Sequence, residues 1–152
     1  MPQSTEVVKV YQIYLLTIFY IYLGAALLLV DNYGGRYLIL LRWKNFVTTK
    51  GVNSFILFVV GLLLAVIKIF FPIKPGPPLL GDLFVVFGLL VSSLYNLTLF
   101  VRRKMSDKKP VKIKAEAIHK TGSLIENHKR NLGLLLVVIA SLHFLFPTAI
   151  LL

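Results

Sequence analysis

The sequence contains no cysteine and few acidic residues. The absence of cysteine among its 152 residues excludes disulfide bonds, thiolate zinc sites, iron–sulfur clusters and thiol chemistry. Only 6 residues are Asp or Glu against 17 Lys or Arg, so the formal net charge is +11 and the pI is near 10.0. Charged residues make up 15% of the chain, below the roughly 25% of soluble domains. This scarcity of charge excludes an ordinary soluble enzyme.

Apolar residues are abundant instead, at 57% of the chain with a mean hydropathy of +0.81, and they gather in four long runs. A helix rises about 1.5 Å per residue, so about 20 apolar residues cross a hydrocarbon core of about 30 Å. Backbone polar groups in a bilayer must be satisfied within the segment, which favours helices. The sequence predicts an all-α polytopic membrane protein, a single domain over 1–152 with four transmembrane helices in an antiparallel bundle. The predicted spans are 10–30, 52–71, 83–101 and 131–152.

The basic residues are distributed unevenly between these spans. The segment 31–51 holds four Lys or Arg residues and the segment 102–130 holds ten, together 14 of the 17. Because short loops rich in cations stay in the cytoplasm, both segments are predicted to be cytoplasmic. We therefore expect a multi-pass protein of the cell membrane with extracytoplasmic N- and C-termini. Glu6 and the lack of a small-residue cleavage site after Val30 favour a retained first span over a signal peptide.

The connections between the spans carry local signals. Four prolines between 72 and 78 predict a tight turn after the second span, with a docking motif as the alternative. The segment 36–47 suits an interfacial helix or, equally, a loop packed on the bundle. Helical spacing of apolar residues predicts a short amphipathic cytoplasmic helix over 110–120. Ser123 and Glu126 have the spacing of a capping box at the start of the fourth helix.

Basic residues flanking the spans are predicted to contact anionic lipid headgroups. They are Lys68, Lys74, Arg102, Arg103, Lys104, Lys108 and Lys109. The long side chain of Lys68, near the outer end of the second span, is expected to reach the interface; a lipid or substrate contact shared with Lys74 is the alternative. The segment 102–130 has no aromatic residue between its first and last cations, hence no platform for stacking bases, so no nucleic-acid partner is predicted.

Polar residues inside spans are functional candidates because their burial in lipid is costly. The candidate intramembrane site consists of Thr17, Ser92, Asn96 and His143. His143 is predicted near mid-bilayer at the depth of Thr17, which favours a hydrogen-bonded structural histidine, with Ser141 as another partner. A proton, quinone or substrate role and haem ligation are the alternatives for His143. No Asp or Glu lies well inside a span, which argues against an ion-coupled transporter.

Small residues four apart on the second and third spans indicate close helix packing. They are Gly61 and Ala65 on one span and Gly88 and Ser92 on the next. Packing of the hairpin formed by these two spans is the favoured interpretation, and a homodimer face is its rival.

The chain carries no paired intramembrane carboxylates, no Ser/His/Asp set and no metal-ligand spacing, so we assign no catalytic, metal or cofactor-binding residue. These absences favour a non-catalytic accessory or scaffolding subunit of a larger membrane complex. Its basic cytoplasmic loops would contact anionic lipid or a partner, either another membrane protein or a second copy. The alternatives are a small transporter, permease or channel working as an oligomer, and a membrane-bound lipid-handling enzyme.

Overall fold

A computed structural model describes residues 3–70, 82–107 and 123–146, and this part of the chain is all-helical. The helices are α1 (Gln3–Tyr33), α2 (Leu38–Thr49), α3 (Gly51–Phe70), α4 (Leu83–Asp107) and α5 (Lys129–Leu145). Residues 123–127 form a short helical stretch that a turn at His128 separates from α5. The predicted proline turn at 72–78 and the predicted helix at 110–120 lie outside the described residues.

Three of these helices are long and apolar enough to cross a membrane. The qualifying segments are Tyr11–Tyr33 in α1, Gly51–Phe70 in α3 and Leu83–Lys104 in α4. The fourth predicted span begins as α5, whose 17 residues measure about 26 Å. Phe146 has left the helical conformation, with φ −127° and ψ 67°, and it precedes a proline in the sequence, a position that disfavours helix. The rest of this predicted span, 147–152, lies outside the described residues.

Helix α1 runs through the centre of the packing. It packs along α5 and also touches α4, while α3 packs extensively along α4. The core between them is apolar and fully buried at Ile21, Leu28, Leu89, Leu136 and Ala140. Large apolar side chains also cover the outward faces of these helices, among them Phe19, Leu63, Phe87 and Val138. Apolar faces on both sides of a helix are expected where the outer side meets lipid instead of water.

Two segments outside the long apolar runs can be compared with their predictions. At 36–47 the sequence allowed a helix or a loop, and the structure has a helix, α2, which extends to Thr49. The fourth helix was expected to run unbroken from Ser123, but His128 has φ −114° and ψ 11° and interrupts it. Charged and polar residues surround this break, so their side chains and water can satisfy the backbone groups that the helix leaves free there.

Candidate functional site

A buried ion pair joins α3 to the start of α4. Nζ of Lys68 lies 2.9 Å from Oδ2 of Asp82, and only 2% and 4% of the two side chains are exposed. The Asp82 carbonyl accepts the first backbone hydrogen bond of α4, from Val86, so its carboxylate stands at the helix N-terminus, where a negative charge is favoured. The expectation that Lys68 extends to lipid headgroups is therefore wrong. A carboxylate across the α3–α4 hairpin holds the ammonium group inside.

Two further titratable side chains complete a cluster around this pair. Nζ of Lys68 lies 5.8 Å from the ring centroid of Tyr14, within cation–π range. The ring of Tyr14 lies 5.0 Å from the ring of His143, and its hydroxyl donates to the His143 carbonyl at 2.7 Å. We call Tyr14, Lys68, Asp82 and His143 the Lys68 cluster. Each of α1, α3, the start of α4 and α5 contributes one of its residues.

The Tyr14 contact also completes the end of α5. The last carbonyls of a helix have no intrahelical donor, and the Tyr14 hydroxyl supplies one to His143 and, at 3.3 Å, to Phe144. Thr17, which the sequence paired with His143, donates to the Ile13 carbonyl of its own helix at 2.8 Å. Tyr14 is the residue that sequence reasoning missed here. Its position one helical turn before Thr17 on an aromatic-rich helix was the available signal.

A second polar layer lies about 9 Å farther along α1, at Tyr20. The Tyr20 hydroxyl donates to the Leu57 carbonyl of α3 at 2.7 Å. Nδ2 of Asn96 on α4 donates to the Ser92 carbonyl at 2.9 Å and lies 3.5 Å from the Tyr20 hydroxyl. Tyr20 therefore connects α1 with both helices of the hairpin. The hydrogen bond from Tyr20 gives its hydroxyl a partner that lipid could not provide.

The small residues predicted to pack the hairpin together are all buried. They are Gly61, Ala65, Gly88 and Ser92. Two of them, Gly61 and Ser92, lie against α1. A β-carbon on Gly61 would stand 2.5 Å from Cζ of Tyr20. A β-carbon on Gly24 of α1 would stand 2.5 Å from Cβ of Ser92. The helices α3 and α4 do pack along each other, as predicted for the hairpin, while Gly61 and Ser92 also accommodate α1. The small side chains make room for α1, because the hydroxyl of Tyr20 and the backbone of Gly24 need that space.

The four residues of the candidate intramembrane site thus divide between the two layers. His143 belongs to the Lys68 cluster, Ser92 and Asn96 belong to the layer at Tyr20, and Thr17 lies between them on α1. Oγ of Ser92 and Oδ1 of Asn96 are buried without a hydrogen-bond partner among the described residues. The structure brings Ser92 and Asn96 together and keeps both apart from His143.

The opposite end of the bundle carries ion pairs that are exposed. Asp31 at the end of α1 contacts Lys44 of α2 at 2.6 Å and also Lys129 of α5. Both carboxylate oxygens of Glu126 accept from Arg102 of α4, at 2.6 Å for Nη2 to Oε2. We call these five residues the basic rim. The hydrogen bond from Arg102 holds the Glu126 carboxylate and keeps its pKa below the ordinary value. The capping box of Ser123 and Glu126 stays a prediction.

Side chains of α3 and α4 cap the C-terminus of α2. Nδ2 of Asn53 donates to the Phe46 carbonyl at 2.7 Å, and Oγ of Ser54 donates to the Val47 carbonyl at 2.9 Å. Arg103 donates to the Thr48 carbonyl. These are carbonyls that the helix itself leaves without donors. The end of α2 is therefore fixed against both helices of the hairpin.

Of the cations predicted to contact headgroups, the described ones differ in their surroundings. Arg102 and Arg103 make the intramolecular contacts given above, and both remain exposed. Nζ of exposed Lys104 lies 5.8 Å from the ring centroid of Phe100. Lys74, Lys108 and Lys109 lie outside the described residues. Within 3–70, 82–107 and 123–146 no group of three or more His, Asp or Glu side chains could hold a metal ion.

The fold and the site define a helical protein with three helices of membrane-spanning length and polar layers in its interior. The chain belongs to a protein family of unknown function, whose family model matches residues 10–143. The matched region contains the whole Lys68 cluster and both layers of buried polar side chains. No curated protein and no solved structure matches the chain.

Proposed function

We propose that the protein is a non-catalytic accessory or scaffolding subunit of a larger membrane complex in the cell membrane. In this proposal α1, α3, α4 and a fourth span beginning with α5 form an antiparallel bundle with extracytoplasmic termini. The basic rim then faces the cytoplasm, together with the cations of 31–51 and 102–130. The partners are a larger membrane protein, or a second copy, and the anionic lipids around them.

The observation that supports this proposal is the use made of the polar side chains inside the bundle. The hydroxyls of Tyr14 and Tyr20 donate to backbone carbonyls of α5 and α3, and Ser93 of α4 donates to the Phe58 carbonyl of α3 at 2.9 Å. Lys68 pairs with Asp82. Contacts of this kind join one helix to another, as polar side chains do where membrane helices associate. A rigid helical body with an apolar outer surface is suited to packing against another membrane protein.

Photo-crosslinking from α4 in the full-length chain tests this proposal in cells. A benzophenone amino acid replaces either Phe87, which is exposed, or Tyr95, which is buried, so the two sites are matched aromatics on one helix. We expect a defined membrane protein to crosslink at Phe87 and not at Tyr95, and the same protein to co-purify in mild detergent. A chain that purifies alone as a monomer with an activity of its own would contradict the proposal.

A small transporter or channel is the second candidate, and one observation favours it. Oγ of Ser92 and Oδ1 of Asn96 are buried in the middle of α4 without partners among the described residues, as groups lining a polar pathway would be. Flux of polar solutes into proteoliposomes, compared between the native chain and Ser92→Ala/Asn96→Ala, tests this candidate. Flux that the double substitution leaves unchanged argues against a pathway through these residues.

A further inference from the structure

Within the described ranges 3–70, 82–107 and 123–146, one side of α2 is largely uncovered. Leu38, Ile39 and Phe46 on this side are 72%, 75% and 58% exposed, although each is large and apolar. The opposite side is anchored through Val47, which is fully buried. An amphipathic helix of a water-exposed protein would present polar side chains outward. The apolar side of α2 therefore faces an environment other than bulk water.

The charged residues of α2 and its immediate flanks are all cations. Residues 36–50 contain four cations and no acidic residue. Asp31 holds Lys44, while Arg36, Arg42 and Lys50 are exposed. Arg42 lies between Leu38 and Phe46 at intervals of four residues, so it shares their side of the helix. A surface that covers this side must accept apolar chains and cations together.

A contact with α1 sets the depth of α2 along the bundle. Nε1 of Trp43 donates to the Leu23 carbonyl at 3.2 Å, ten residues before α1 ends at Tyr33. That distance corresponds to about 15 Å along α1. Lys44, the next residue, reaches the opposite way to Asp31. Helix α2 therefore lies beside the last turns of a membrane-spanning segment and not beyond its end.

We propose that α2 is an interfacial helix that binds anionic lipids of the cytoplasmic leaflet. Acyl chains cover Leu38, Ile39 and Phe46, and lipid phosphates contact Arg36 and Arg42. Helices with one apolar side and flanking cations take this position at the boundary of headgroups and acyl chains. This inference rests on the proposed function, which places this end of the bundle on the cytoplasmic side of the membrane. It adds that lipid is the partner of α2.

Fluorescence of Trp43 tests the position of α2, because the chain has a single tryptophan. The purified full-length protein is reconstituted into phosphatidylcholine vesicles containing lipids brominated near the glycerol end or near the methyl end of the acyl chain. We expect stronger quenching by bromine near the glycerol end. Absence of quenching would show that protein or water covers α2, and stronger quenching near the methyl end would show a deeper position. Either result would overturn the proposal.

Lipid selectivity is tested with brominated phosphatidylglycerol against brominated phosphatidylcholine at equal amounts. We expect phosphatidylglycerol to be enriched around Trp43 by up to about fivefold per cation. The double substitution Arg36→Gln/Arg42→Gln should abolish this enrichment and leave the depth of Trp43 unchanged. The control Lys9→Gln/Arg130→Gln removes the same number of charges from residues outside α2 and should preserve the enrichment. Enrichment that survives in the first variant overturns the proposal, whereas the crosslinking from Phe87 is independent of this result.

Discussion

The Lys68 cluster and the basic rim use the same chemistry in opposite surroundings. Lys68 and Asp82 expose 2% and 4% of their side chains, whereas Arg102 and Glu126 expose 43% and 37%. Water and salt screen the exposed pair, so its attraction is weak. The buried pair has lost its hydration, so removing either charge leaves the other inside the bundle without its oppositely charged partner. The comparison predicts that losing one partner of an ion pair costs more inside the bundle than at its rim.

The largest expected effect follows from removing one partner of the buried pair. Lys68→Met leaves the Asp82 carboxylate inside the bundle without the ammonium group, which should reduce the free energy of unfolding by about 3–5 kcal/mol. Thermal unfolding in mild detergent measures the loss. The double variant Lys68→Met/Asp82→Leu removes both charges and should recover most of it. If the double variant does not regain this stability, the two charged side chains contribute more than the neutralisation of each other's charge.

A methyl group at the crossing of α1 and α4 should have the next largest effect. In Gly24→Ala the new β-carbon would stand 2.5 Å from Cβ of Ser92, so the two helices must separate, at about 1–3 kcal/mol. Gly35→Ala is the matched control, because nothing lies within 4 Å of its β-carbon position. The second-site change Ser92→Gly should restore stability in Gly24→Ala. Equal stability of the two alanine variants would contradict close packing at Gly24.

Substitutions of two tyrosines on α1 compare a hydrogen bond inside the bundle with one on its surface. Tyr20→Phe removes the donor to the Leu57 carbonyl from a buried side chain and should lower the free energy of unfolding by about 1 kcal/mol. Tyr22→Phe removes the exposed hydrogen bond to Ser141, 2.8 Å long, and should have a smaller effect. Thermal unfolding of the two variants side by side gives the difference. A larger loss in Tyr22→Phe would reverse the comparison between interior and surface.

The smallest effect is expected at the basic rim, where it should depend on salt and pH. Arg102→Gln should change the free energy of unfolding by less than about 1 kcal/mol, and high salt should remove the difference. Because Arg102 lowers the pKa of Glu126, the pair stabilises the fold above the ordinary glutamate pKa. This contribution disappears as the pH falls through the lowered value. Glu126→Gln should lack that acid-dependent loss in an unfolding titration, and its persistence would assign the loss to another group.

The sequence alone predicts the apolar helices well, because a run of about 20 apolar residues has few alternatives. The first three predicted spans lie within α1, α3 and α4 or end within a residue of them. The interruption at His128 was not predicted, since no glycine or proline marks it. Helix α2 was left undecided against a loop, because twelve residues are too few for periodicity to separate the two.

The arrangement inside the bundle was less predictable, and Lys68 shows why. Near the end of a span a lysine reaches headgroups unless an acid is close, and the distance to Asp82 depends on how α3 and α4 are aligned. The sequence places a basic residue before the proline-rich segment and an acidic residue after it, and this pattern was the available signal. The role of the small residues was missed for a related reason. Spacing identifies a face of a helix, but it does not say which neighbour occupies that face.

The caps at the end of α2 have a consequence for the order in which the protein is assembled during synthesis. Asn53 and Ser54 are each seven residues from the carbonyls they bind, so they can cap α2 as soon as α3 begins to form. Arg103 is 55 residues from the Thr48 carbonyl, and it leaves the ribosome only after α3 and most of α4 have been made. The contact from Arg103 therefore cannot form until α3 and most of α4 have been synthesised, whereas the contacts from Asn53 and Ser54 need only the first residues of α3.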